Sequence, residues 1–156
     1  MVVEKPNLDY SRKSLDFGSG FYTTENREQA IDFARKVAIR NEQESRFVCI
    51  YDFDIEAAKN ILEILMFPGP DRQWLDYVHQ NRHGRYTGKS HDLVIGPVAN
   101  DDVYAALIVY EQGIINAEQT IEALKIKKLY NQYVFKSDRA LSFLKFVSSF
   151  DPGAIS

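Results

Sequence analysis

Histidines, one cysteine and several acidic positions are the residues whose types could support chemistry. His79, His83 and His91 lack a matching acidic or thiol partner at metal-ligand spacing, so they predict loop imidazoles and no metal site. Cys49 is the single cysteine, and no internal disulfide is available. It sits in the apolar run Phe47-Val48-Cys49-Ile50-Tyr51, where a buried, inert thiol is expected. Asn100, Asp101 and Asp102 form an acidic tip after a strand turn. They cap a helix and complement its dipole, or Asn100 and Asp101 line a cleft and orient an acceptor. Asp92 is open to the same two readings. Residues 82–91 carry Arg82, His83, Arg85 and Lys89. They read as a mobile loop that either reaches an anion such as a pyrophosphate or is merely solvated. Gly18 and Gly20 let backbone approach a ligand closely, or serve only a turn. Asp16-Phe17-Gly18 spells the magnesium triplet of protein kinases, but no Gly-rich loop with a following strand lysine precedes it.

The elements that must position these residues are short. Phe21-Tyr22-Thr23-Thr24 is β-prone, and Asn26 with Gln29 resembles a capping box opening a helix over 27–42. Ala30, Phe33, Ala34 and Val37 give that helix one apolar stripe. A strand is expected at 46–53, a short helix at 55–59, and a strand at 61–67 stopped by Pro68-Gly69-Pro70. A helix follows at 71–81, then a buried strand at 92–97. Helices at 101–112 and 117–126 follow, the second opened by Asn116 with Gln119. The chain closes with a strand at 131–136, a short helix at 138–142 capped by Ser137, and a strand at 143–149. The irregular alternation predicts α+β, without the even spacing of a doubly wound sheet.

Length and composition set outer bounds. A chain of 156 residues fits one domain over 1–156. A net charge of −3 lacks the footprint of a general nucleic-acid binder. Lys125, Lys127 and Lys128 read as a solvated helix end. No apolar run approaches the roughly 18 residues that a membrane span needs, and the first residues do not read as a signal peptide, so a cytoplasmic protein is expected.

Two segments carry a resemblance. Gly18-Ser19-Gly20-Phe21-Tyr22-Thr23-Thr24, with the helix bearing Ala30 and Phe33, is similar to the second motif of the poly(ADP-ribose) polymerase and diphtheria-toxin-like ADP-ribosyltransferases. Tyr130-Asn131-Gln132-Tyr133-Val134-Phe135 resembles the third motif of that branch, Tyr-Asn-Glu-Tyr-Ile-Val. More closely, residues 2–149 resemble a bacterial family of unknown function. Its members share the patterns seen here at 16–22, 95–104 and 131–135.

The resemblance implies an ADP-ribosyltransferase-like split mixed sheet flanked by short helices. It implies NAD as substrate, with ADP-ribose moved to a macromolecular acceptor. Tyr22 would stack on nicotinamide and Phe33 would form the opposite wall. Gly18, Gly20, Phe21 and Thr23 would line the binding strand, and Gln132 would contact the ribose. Gln132 replaces the catalytic glutamate, and its amide hydrogen-bonds without supplying charge. The family's usual first strand, Leu-Tyr-His-Gly-Ser/Thr, is absent before residue 2, so an exposed sheet edge and self-association are expected. A second expectation is therefore an NAD-fold module that binds a partner, such as a small operon-encoded antitoxin. A third is an interaction protein without nucleotide affinity.

Overall fold

A computed structural model describes residues 2–8, 16–40, 47–97, 101–125 and 129–152. Among these, there are six strands and six helices, interspersed along the chain. They are β1 (Phe21–Thr24), α1 (Arg27–Arg40), β2 (Val48–Phe53), α2 (Ile55–Lys59), β3 (Ile64–Met66) and α3 (Arg72–Arg82). Next come β4 (Leu93–Pro97), α4 (Asp101–Glu111), α5 (Ala117–Lys125), β5 (Asn131–Phe135), α6 (Asp138–Leu141) and β6 (Leu144–Phe150). The fold is α+β with a mixed sheet.

Side-chain caps start several of the helices. Asp54 accepts from Ala57 N, Asp71 from Trp74 N and Ser137 from Ala140 N. Each satisfies a backbone donor that lacks an intrahelical partner. Asn116 and Gln119 form the reciprocal box expected of them, at 2.8 and 2.9 Å. Asn26 makes half of its box, accepting from Gln29 N at 2.8 Å. The Gln29 side chain instead meets the Thr24 hydroxyl at 2.6 Å. The strand expected at 61–67 is shorter. Ile61 N and Leu62 N both donate to Ala58 O, which winds this stretch onto the end of α2 and delays β3 to Ile64.

The strands form two sheets. One has the order β1-β5-β4-β3, with β3 and β4 parallel and the other pairs antiparallel. The other is the antiparallel pair β2-β6. β4 is buried along its whole length, as an inner strand covered on both faces should be.

The four-stranded sheet has a core on each side. Val94 and Val134 pack beneath Trp74, Val78, Val103, Leu107 and Leu124 of α3, α4 and α5. Leu93, Ile95 and Phe135 face the opposite way, toward α2, α6 and the β2-β6 pair. Alternation along each strand therefore sends successive apolar residues of β1, β4 and β5 to opposite cores. The buried Trp74 indole donates to Pro97 O at 3.0 Å, fastening α3 to the end of β4. Among the described residues, no helix is long and apolar enough to cross a membrane.

Candidate functional site

Strand register places the two principal candidates together. Tyr22 of β1 pairs with Val134 of β5, and Thr24 pairs with Gln132. Tyr22 and Gln132 are thus diagonal neighbours on one face, with Cα atoms about 7–8 Å apart in such a geometry. That face lies under α3, α4 and α5, since Tyr22 packs against the cluster holding Val94 and Val134.

The Tyr22 ring is partly buried and its hydroxyl is held. It accepts from Phe17 N at 3.0 Å and donates to Gly18 O at 2.5 Å. The turn over 16–18 thereby sets the ring's orientation. Gln132 is 6% exposed, and its Nε2 is buried with no hydrogen-bond partner among the described residues. Gly96 stands beside it on β4. A Cβ there would come within 3.0–3.1 Å of the Phe67 and Phe17 rings, so those rings close over the sheet next to the amide. A buried amide donor without an acceptor is costly and calls for an explanation.

The other residues of the first motif divide between the two faces. Phe21 and Thr23 point away from Tyr22. Phe21 packs in the opposite core, its ring 6.2 Å from that of Tyr51. The Thr23 hydroxyl donates to Tyr133 O at 2.8 Å. Both brace the β1–β5 pair from the far side of the sheet. Gly20 serves close strand packing, because a Cβ there would sit 2.5 Å from Val134 Cγ1. Gly18 adopts φ 77°, the left-handed region that glycine tolerates. Phe33 lies on α1 and is 44% exposed. That helix is tied to the β6 end, with Arg27 over the Phe150 ring and Arg35 donating to Pro152 O.

Asp92 belongs elsewhere. The pairing Gly96 with Gln132 puts it four residues along β4 from the candidate amide, roughly 13 Å at strand rise. Its carboxylate accepts from Glu63 N at 2.9 Å, Ser137 Oγ at 2.7 Å and Arg139 Nη2 at 2.6 Å. Burial alone would raise its pKa, but these three donors hold it below the ordinary carboxylate range. Asp92 is a structural knot joining β3, β4 and α6. It also borders an open depression of about 280 Å³ shared with His91, Lys136 and Arg139. Asn100 lies outside the described residues, and of Asp101 only its place as the first residue of α4 is described.

The basic stretch after α3 is mostly exposed and is packed inward at Arg82 and Tyr86. Arg82 is the last residue of α3 and pairs with Glu111 at 3.1 Å and Asp16 at 3.4 Å. The Tyr86 ring stacks edge-on against Tyr77, and Lys89 pairs with Glu63. Cys49 is half-buried and accepts from Val3 N at 3.3 Å.

Two features escaped the sequence. Lys136 follows Gln132 and Val134 on the same face and donates to Ser19 O at 2.9 Å. Burial lowers the pKa of its ammonium. The histidines need a correction as well. Local spacing offered His79 and His83 no acidic partner, yet the end of α4 brings Glu111 to both. Their separation by four positions near the end of a helix was the only signal available.

Over residues 1–146 the chain matches the family described as protein of unknown function, DUF3990, and it belongs to that family. No curated protein and no solved structure matches it.

Proposed function

We propose that this DUF3990 member binds NAD against the Tyr22–Gln132 face and moves ADP-ribose to a macromolecular acceptor. The observation that carries the reading is the buried Nε2 of Gln132, diagonal to the Tyr22 ring and without a hydrogen-bond partner among the described residues. An amide donor suits a ribose hydroxyl, which accepts. The Tyr22 ring, fixed through its hydroxyl, offers a flat face to nicotinamide, and such ring pairing contributes about 0.5–1.5 kcal/mol beyond burial.

Breaking the bond between nicotinamide and ribose builds positive charge on the sugar. A carboxylate beside the ribose would offset it. Gln132 brings an amide to that position, and Glu25 lies on the other face of the sheet, bonded to Asn131 N at 3.0 Å. The uncharged amide favours a second reading, in which the domain holds NAD without efficient transfer and acts through a partner protein. The first reading fits a toxin or effector component kept in check by a small co-encoded protein.

Calorimetric titration with NAD, paired with transfer of isotopic ADP-ribose to lysate, tests both. Binding with labelling that rises in Gln132→Glu supports the transferase. Binding without labelling in either form selects the module. No heat with NAD removes the nucleotide reading altogether.

A further inference from the structure

The C-terminal ends of α3 and α4 bring together side chains that have no part in the Tyr22–Gln132 face. His79 and His83 stand one helical turn apart and present both imidazoles to the same neighbour. That neighbour is Glu111, the last residue of α4. Its Oε1 lies 3.9 Å from His79 Nδ1 and 3.6 Å from His83 Nε2. One ligand atom from each residue falls within 4.8 Å of the other two.

We propose that His79, His83 and Glu111 bind a divalent transition cation of the zinc class. Two imidazoles and one carboxylate form a recognised three-ligand zinc set, leaving a fourth position for water. Zn–N and Zn–O distances near 2.1 Å in a tetrahedron set ligand atoms about 3.4 Å apart. The two gaps to Glu111 exceed that by half an ångström or less, and the two imidazole atoms, within 4.8 Å of each other, close to that spacing by side-chain rotation. His79 Nδ1 is buried and has no hydrogen-bond partner among the described residues, an independent sign that this nitrogen awaits a ligand.

Arg82 is the competing element, since its Nε lies 3.1 Å from Glu111 Oε1. It has a second anchor in Asp16, 3.4 Å from its Nη1. Glu111 also has a second oxygen, so the guanidinium can stay bonded while Oε1 turns to the metal. A neighbouring positive charge lowers the affinity of such a site below that of a closed structural zinc. The expected role is a clasp between the ends of two helices that cover the sheet.

The test uses the full chain, washed with chelator and titrated with zinc chloride in the calorimeter. One equivalent of zinc binding per chain is expected, with a rise in Tm that chelator reverses. His83 is 38% exposed on its side chain, so His83→Ala should fold, as circular dichroism and the metal-free Tm will verify. That variant and Glu111→Gln are each expected to lose about a hundredfold or more in zinc affinity, beyond the 10–100-fold typical of residues that only support a ligand. Cobalt(II) should give the intense visible bands of a four-coordinate site in the native chain and lose them in both variants. No stoichiometric zinc binding, or native affinity retained in both variants, overturns the proposal.

Discussion

Replacing Gln132 with methionine separates an amide kept for a ligand from one kept for the fold. The side chain is 6% exposed, and Nε2 has no acceptor among the described residues. A buried donor in that condition costs about 1–3 kcal/mol relative to an apolar group of the same shape. Methionine matches the unbranched outline of glutamine and leaves little cavity. Gln132→Met is therefore expected to gain about 1–2 kcal/mol in urea denaturation followed by circular dichroism. In a chain of this size that corresponds to a Tm rise of roughly 2–8 °C. The same variant is expected to give no heat with NAD, because the ribose loses its donor. Greater stability with lost binding is the pattern of a residue maintained against the interest of the fold. A stability loss of about 1 kcal/mol or more would refute this reasoning, since it would mean that the protein itself satisfies the amide.

Two further substitutions probe the surroundings. Asp92→Asn is expected to cost about 1–3 kcal/mol at pH 7, because it weakens the charge-assisted bond from Arg139. The Asp92 carboxyl is held below its usual 3.8, so its stabilisation is present above that pH and is lost as pH falls through the lower folded value. Denaturation midpoints of the two forms should converge as the solution is acidified below pH 3.8, and a gap that does not shrink on acidification would contradict the assignment. Tyr22→Phe removes the hydroxyl that joins Phe17 N to Gly18 O and is expected to cost about 1–2 kcal/mol while leaving NAD affinity within a few-fold. Lost affinity at unchanged stability would assign that hydroxyl to the ligand instead.

Much of the fold was legible in the linear order of residues, because its signals are local. Caps at Asp54 and Ser137 mark helix starts through bonds spanning three residues. The run at 92–97 reads as a buried strand because every position after Asp92 is non-polar. The end of α2 was less legible. Whether Ile61 and Leu62 extend a helix or begin a strand depends on which acceptor their amides find, and Ala58 O was the nearer one.

Which candidates share a site was decided by tertiary structure. Tyr22, Phe21 and Thr23 are consecutive, yet strand alternation sends the first to one core and the other two to the opposite side. Strand pairing joins Tyr22 to Gln132 across 110 positions, and the same register separates Gln132 from Asp92. Glu111 reaches His79 and His83 only because two helix ends meet over the sheet. Side-chain identity and local propensity are properties of a residue and its near neighbours, so the sequence by itself determined the elements. Proximity between distant residues depends on register and packing, which exist only once the chain has closed on itself.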